Sequence, residues 1–279
     1  MFEEVVTLME TPTITGVIIA KNESAMILNC LDTLRWCSEI LVIDDGSTDD
    51  TASLAENAGA RVVSFKSNSF KRLREEALKH IKTDWLVYID ADERVLPTLA
   101  KEILVSIETN VAPACSIRRK NIHFGVEMTH GGWEEDWVTR VFKTDQLNGW
   151  VGDVHESPDI TGDPKKLKTR LLHLSHRDVI SGLKKTSDWT PIEAKALFES
   201  NVEPVTFFTI CRKGFMEFIR RVFLKSGRKD GMAGLIEATV QGINKALIYM
   251  QVWELQQQPT IPDTYKKYEE AVTKAWKES

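Results

Sequence analysis

The feature that most constrains this chain is a repeat of short apolar runs, each followed by turn-forming or charged residues and then a helical pattern. Ile14 to Ala20 is the first run, and it ends in Lys21-Asn22-Glu23. Ile40 to Ile43 is the second, ending in Asp44-Asp45-Gly46-Ser47-Thr48-Asp49. Arg61 to Phe65 reads as a third, and Trp85 to Ile89 as a fourth that ends in Asp90-Ala91-Asp92-Glu93. Continuous apolar runs of this length mark strands covered on both faces. Between them, Ser24 is placed to cap a helix with an apolar face of Ile27, Leu28, Leu31 and Leu34. A helix from Thr51 closes at Gly59, Lys71 to Ile81 is helical, and Pro97 opens a helix carrying Leu99, Ile103 and Ile107 on one side. Strand–helix repetition with short connections predicts an α/β fold, a mostly parallel sheet with helices on both faces. In such sheets ligands bind beyond the carboxyl ends of the strands. The acidic clusters are therefore expected to converge on one crevice.

After about Ala114 the pattern changes to shorter strand-like pieces, Cys115 to Phe124, Trp137 to Phe142 and Lys168 to Leu174. From Asp178 the chain reads as helical to its end, with breaks expected near Pro191, Pro204, Gly227–Gly231 and Pro259–Pro262. This places a boundary that separates residues 1–177 from a C-terminal helical region, 178–279. A chain of 279 residues can bury a substantial core. Its net charge of −5 argues against nucleic-acid binding. The four cysteines show no metal-ligand spacing, and Cys30 and Cys37 are expected to fill core. The acidic MFEEVVTLME start lacks the layout of a signal peptide, and no apolar run approaches bilayer length. A cytoplasmic protein is expected.

Asp90 and Asp92 carry the clearest chemistry. In an extended segment, residues two apart point to the same side, so two carboxylates can share a hard divalent cation and leave positions open for phosphate oxygens. The same residues would also serve as solvated turn aspartates ahead of Pro97. Asp44 can accept hydrogen bonds from a nucleobase imide or a ribose hydroxyl, or close an Asx-turn with Ser47 and Thr48. Arg74, on the helix before the fourth strand, can reach a diphosphate.

Together these stretches resemble glycosyltransferase family 2, with its GT-A (Rossmann-like) fold. The resemblance rests on Val17 to Glu23, Glu39 to Asp49 and Asp84 to Arg94, in the family's order and spacing. Lys21-Asn22-Glu23, Asp92-Glu93-Arg94-Val95 and Val154-His155-Glu156 are similar to bacterial lipopolysaccharide-core β-1,4-glucosyltransferases. The chain departs from that subgroup at Glu75 and Glu135, which leaves donor and acceptor identity open. The resemblance implies a nucleotide-sugar site at Ala20, Asn22, Glu23, Asp44, Asp45, Arg74, Asp90, Ala91 and Asp92. Asp44 would contact the base, and Asp90 and Asp92 would hold Mg²⁺ or Mn²⁺. It also implies a nucleotide diphosphate sugar donor, UDP-hexose above all, and a glycan or lipid-linked acceptor in cell-surface polysaccharide synthesis.

The resemblance also implies an inverting single displacement, which needs one carboxylate to take the proton of the attacking hydroxyl. Glu156, in Gly152-Asp153-Val154-His155-Glu156, is the first candidate. Asp136, in Trp133-Glu134-Glu135-Asp136-Trp137, is the second, with holding Arg140 as its alternative role. His173 or His176 are candidates for a further metal ligand, and Trp133, Trp137 and Trp150 for sugar stacking or core packing. From Phe207 to Gly231, phenylalanines alternate with Arg212, Lys213, Arg220, Arg221, Lys225, Arg228 and Lys229. That composition suits either an amphipathic helix on the inner face of an anionic plasma membrane or internal packing with snorkelling ends. Two other functions remain: a sugar-1-phosphate nucleotidyltransferase, and a non-catalytic nucleotide- or glycan-binding protein. The first resembles a class needing a basic glycine-rich loop that Lys21 to Ser24 does not supply. Asp90, Asp92 and Glu156 speak against the second.

Overall fold

The computed structural model describes residues 11–67, 69–152 and 157–278. The chain divides into two compact units, one built from the chain up to Asn121 with Glu135–Leu174, the other from Ile122–Glu134 with the chain from Ser175 onward. In chain order the strands are β1 (Ile14–Ala20), β2 (Glu39–Asp44), β3 (Arg61–Ser64), β4 (Trp85–Asp90), β5 (Glu93–Arg94), β6 (Ala114–His123), β7 (Val126–Glu127), β8 (Trp137–Lys143), β9 (Leu147–Val151), β10 (Ser157–Ile160), β11 (Lys165–Lys166) and β12 (Leu171–His173). The helices are α1 (Ile27–Asp32), α2 (Thr51–Asn57), α3 (Phe70–His80), α4 (Pro97–Thr109), α5 (Val179–Glu199), α6 (Phe207–Ile219), α7 (Gly231–Leu255) and α8 (Ile261–Glu278).

The first unit is an α/β sheet in the order β3-β2-β1-β4-β8-β6-β12-β5. Strands β3, β2, β1 and β4 run parallel. Strand β8 is antiparallel to both β4 and β6, and β12 returns parallel to β6. Period-two alternation explains why the parallel strands read as unbroken apolar runs. Ile14, Ile18, Val42, Trp85, Val87 and Ile89 face one core with residues of α1, α2 and α4. Val17, Leu41, Ile43, Leu86 and Tyr88 face another with Leu73 and Ala77 of α3. Pro97 stands at the first turn of α4, whose Leu99, Ile103 and Ile107 are buried as their spacing predicts.

Three local expectations change. Ser24 does not cap α1. The carbonyl of Glu23 accepts from the N–H groups of Met26 and Ile27 instead, while the N–H of Ser24 donates to Asp49 Oδ2 at 3.2 Å. Leu28 is exposed rather than part of the buried face. Pro191 does not break its helix: it lies inside α5. The buried Thr186, Thr190 and Ala194 of α5 show that tertiary packing carries this helix past the lost hydrogen bond.

In the second unit α6 and α7 approach closely at Gly214 and Gly242. A Cβ on Gly214 would lie 2.9 Å from the Gly242 carbonyl oxygen, and one on Gly242 would lie 3.0 Å from that of Gly214. Residues 122–134 group with these helices through polar contacts. Asp230 accepts from the N–H groups of Thr129 and His130 at 3.1 and 2.8 Å. Arg221 donates to the Gly131 carbonyl at 3.0 Å, and the Gly131 N–H donates to the Lys225 carbonyl at 2.8 Å.

Candidate active site

The parallel register brings the strand ends together. Ala20 pairs with Asp44, and Ile19 pairs with Asp90. Just past β2 the chain turns at Gly46, where φ is +71°. The buried Asp44 carboxylate accepts from the Ser47 N–H at 3.1 Å, the Asx-turn arrangement. Asp45 accepts from the Ser67 N–H at 2.7 Å and from Lys21 Nζ at 3.2 Å. Asn22, in the left-handed region at φ 55°, accepts from the Thr48 N–H through Oδ1 at 2.7 Å and donates its own N–H to Ser47 Oγ at 2.9 Å. The Glu23 N–H donates to Thr51 Oγ1 at 2.7 Å. These bonds stitch the loop after β1 to the loop after β2, so Ala20, Asn22, Glu23, Asp44 and Asp45 form one rim.

Beyond β4, Asp90 and Asp92 have different partners, because β4 ends at Asp90 and a turn follows. Extended geometry therefore does not continue through Ala91. The Asp90 carboxylate accepts from Arg140 Nη2 and, at 3.1 Å, from Arg119 Nη2. Glu93, with no exposed surface, accepts from Arg119 Nε at 2.7 Å and from Arg140 Nη2 at 2.9 Å through Oε1. Its other oxygen accepts from the Asp90 N–H at 2.9 Å. Burial pushes the Asp90 carboxyl up, but the adjacent Arg140 and Arg119 guanidiniums outweigh it and hold the group below the usual carboxylate range. The buried Arg140 and the part-buried Arg119 thus balance the buried Glu93 and the part-exposed Asp90. Removing one member of the buried Arg140–Glu93 pair leaves an uncompensated charge and costs about 3–5 kcal/mol. Arg94 fastens the same turn from the other side, donating to the carbonyls of Ala91 at 2.7 Å and Met26 at 3.1 Å.

Asp92 Oδ2 lies 3.5 Å from His173 Nε2. His173 sits in β12 opposite Asn121 of β6, and its Nδ1 is 2.6 Å from Asn121 Oδ1. The Asn121 amide nitrogen donates to Asp136 Oδ2 at 3.0 Å. With that amide orientation, His173 Nδ1 donates to the Asn121 side-chain oxygen, and a neutral ring would turn its Nε2 lone pair to the Asp92 side. A carboxylate oxygen beside an imidazole nitrogen whose far nitrogen is held by an amide oxygen suits a divalent cation. The residues present therefore fit the cation that the Asp90-Ala91-Asp92 motif implies.

Arg74 and Arg140 line a cleft of ≈ 280 Å³ with Tyr88, Trp137, Trp150 and Pro158. The Arg74 backbone carbonyl accepts from the Tyr88 hydroxyl at 3.0 Å, and its guanidinium lies 5.9 Å from the Trp150 ring centre. Trp150 is mostly core, edge-on to Tyr88 at 5.2 Å. Trp133 lies in the second unit, under Arg221 at 5.2 Å. His176, the alternative to His173 as a further metal ligand, also belongs to that unit, 2.7 Å from Glu237. Glu156 and His155 lie outside the described residues. Arg140 is held by Asp90 and Glu93, whereas Asp136 stands 3.7 Å from Arg119. Sequence reasoning missed Glu93, Arg119 and Asn121. The available signal was the polar alternation of Arg119 and Asn121 within β6, which puts both on one face.

A model of glycosyl transferase family 2 matches residues 15–159. The lipopolysaccharide core biosynthesis glycosyltransferase LpsC of Rhizobium meliloti (strain 1021) is 25% identical over 263 residues, which cover 90% of this chain and 96% of LpsC. An uncharacterized glycosyltransferase of Rickettsia conorii is 35% identical over 94 residues, 33% of each chain. The crystal structure of glucosyl-3-phosphoglycerate synthase from Mycobacterium tuberculosis with Mn²⁺, UDP and glucosyl-3-phosphoglycerate is 28% identical, with a TM-score of 0.34, over 39% of this chain and 43% of that one. The chain thus spans nearly all of LpsC, a third of the Rickettsia protein and under half of the synthase.

Proposed function

The chain belongs to glycosyl transferase family 2, and from that premise we propose an inverting transfer of a hexose from UDP-hexose to a hydroxyl of a glycan or lipid-linked acceptor in lipopolysaccharide synthesis. What supports this most is the chain of contacts Asp92–His173–Asn121–Asp136 at the carboxyl edge of the sheet. It joins a cation-binding pair to a carboxylate that can serve as base. Asp44 and the rim around it would receive the base and ribose, with Arg74 reaching the diphosphate. Asp92 and His173 would hold Mg²⁺ or Mn²⁺, with Asp90 beside them. When bound, the cation screens the donor's diphosphate and stabilises it as it leaves.

The acceptor oxygen attacks the anomeric carbon from the face opposite the diphosphate, and the bond from that carbon to the phosphate oxygen breaks. The hydroxyl proton passes to a carboxylate, and the anomeric configuration inverts. Asp136 is that carboxylate among the described residues; Glu156 is the other proposed candidate. Likeness to LpsC along most of both chains supports a lipopolysaccharide acceptor.

The experiment is a panel of sugar nucleotides with Mn²⁺ or Mg²⁺, scored for binding and slow hydrolysis. Cation-dependent binding and hydrolysis of UDP-hexoses are expected. Binding without hydrolysis or transfer to any acceptor would make this a binding protein. Formation of a sugar nucleotide from sugar-1-phosphate and a nucleoside triphosphate would make it a nucleotidyltransferase.

Such an acceptor fits association with the inner face of an anionic membrane. No described helix is long and apolar enough to cross a bilayer. On α6 and the π-helical turn after it, Phe207, Phe208 and Leu224 are 80%, 72% and 78% exposed. Phe207 and Phe215, two i+4 steps apart, share a stripe. Arg212, Lys225 and Lys229 are exposed nearby, whereas Arg220 and Arg221 are both tied to Glu217 at 2.7 Å. Replacing Arg212, Lys225 and Lys229 with glutamine is expected to reduce sedimentation with anionic vesicles and to spare activity on a soluble acceptor. Wild-type protein that stays in the supernatant at low salt would overturn the membrane assignment.

A further inference from the structure

The second unit holds a cluster that the proposed sugar transfer does not use. Glu237 of α7 is almost fully buried, as is His123 at the end of β6, and His176 is 11% exposed by its side chain. Glu237 Oε2 lies 2.7 Å from His176 Nδ1 and 3.2 Å from His123 Nδ1. One donor atom from each of the three residues falls within 4.8 Å of the other two.

We infer that His123, His176 and Glu237 form a zinc site, separate from the cation site at Asp92 and structural in role. Zn²⁺ takes imidazole nitrogens and carboxylate oxygens at about 2.0–2.2 Å. Tetrahedral ligand atoms then stand roughly 3.4 Å apart, so the spacings of 2.7 and 3.2 Å need only small side-chain adjustments. Neutral imidazoles with one carboxylate carry a single negative charge, which suits a divalent cation in a buried place.

Each ligand is positioned by something other than the metal. The Trp133 ring meets His123 edge-on at 4.7 Å between centres. The His176 carbonyl accepts from the Phe124 N–H at 2.9 Å, with His176 itself in the left-handed region at φ 44°. Glu237 Oε1 accepts from Gln241 Nε2 at 2.9 Å, an outer contact of the kind that orients ligating carboxylates. Three protein ligands leave a fourth position for water. His176 also lines a cavity of ≈ 420 Å³ with Thr186, Asn244 and Lys245, which provides an entry route. Bound there, zinc would cross-link residues 122–134 to α7 and the segment before α5.

The test uses untagged full-length protein. Metal analysis after dialysis against Zn²⁺ and removal of excess is expected to give about one zinc per chain. Chelation should lower the thermal midpoint by several degrees, and Zn²⁺ but not Mg²⁺ should restore it. Co²⁺ in place of zinc should give a visible absorption band of a four-coordinate site. Glu237→Gln and His123→Asn should each lose most of the zinc, while Asp92→Asn keeps it, which separates this site from the catalytic cation. If those variants fail to fold, zinc titration of chelated wild-type protein gives the same readout. Zinc content below about 0.1 per chain with no thermal response would overturn the site and leave a metal-free imidazole–carboxylate cluster, as would zinc retained in both Glu237→Gln and His123→Asn. Neither result bears on sugar transfer.

Discussion

Asp92→Asn is expected to abolish turnover and weaken cation-dependent binding of nucleoside diphosphates, with the thermal midpoint close to wild type. The substitution keeps shape but removes the charge that, with His173 Nε2 at 3.5 Å, would hold the cation. Loss of cation-assisted stabilisation of a leaving diphosphate is worth several kcal/mol, so transfer should fall by at least about 10³-fold. The fold should tolerate the change, because Glu93 and Arg94 hold the turn after β4. Isothermal titration of UDP with and without Mn²⁺, beside an initial-rate assay, checks both halves. Wild-type rates with unchanged cation dependence would remove Asp92 from the site.

The second large effect is expected at the base. Asp136→Asn keeps the contact to the Asn121 side chain but cannot take a proton at neutral pH, so transfer should fall by a factor on the order of 10²–10⁴. Donor affinity should persist, because the proposed donor contacts are Asp44, Arg74 and the cation pair. Glu156→Gln run in parallel assigns the role. A collapse there, with near-normal transfer in Asp136→Asn, would move the base to Glu156 and leave Asp136 as the residue that orients Asn121 and His173. The split between kcat and donor KM distinguishes a missing base from a damaged donor site.

The sequence by itself determined the local parts. Strand runs such as Ile14–Ala20 and Trp85–Asp90, the start of α4 at Pro97 and the buried spacing Leu99, Ile103, Ile107 follow from short-range periodicity. The crevice at the strand ends was also legible, since parallel strands bring their carboxyl ends to one edge. Pairing across the sheet was not. The placement of β12 beside β6, which joins His173 to Asn121 and thereby to Asp136, links residues 52 apart in the chain. Arg119 and Arg140 reach Asp90 and Glu93 only because β8 folds back next to β4 and β6 pairs with β8. Local pattern carries no information about which distant strand supplies a counter-charge, and a buried carboxylate such as Glu93 reads as a solvated turn residue until its partners are known. The same holds for His123, His176 and Glu237, three ordinary residues until tertiary packing directs them at one point. Neighbour-to-neighbour geometry is written in the order of side chains, whereas the balance of buried charge is settled by contacts between segments far apart in the chain.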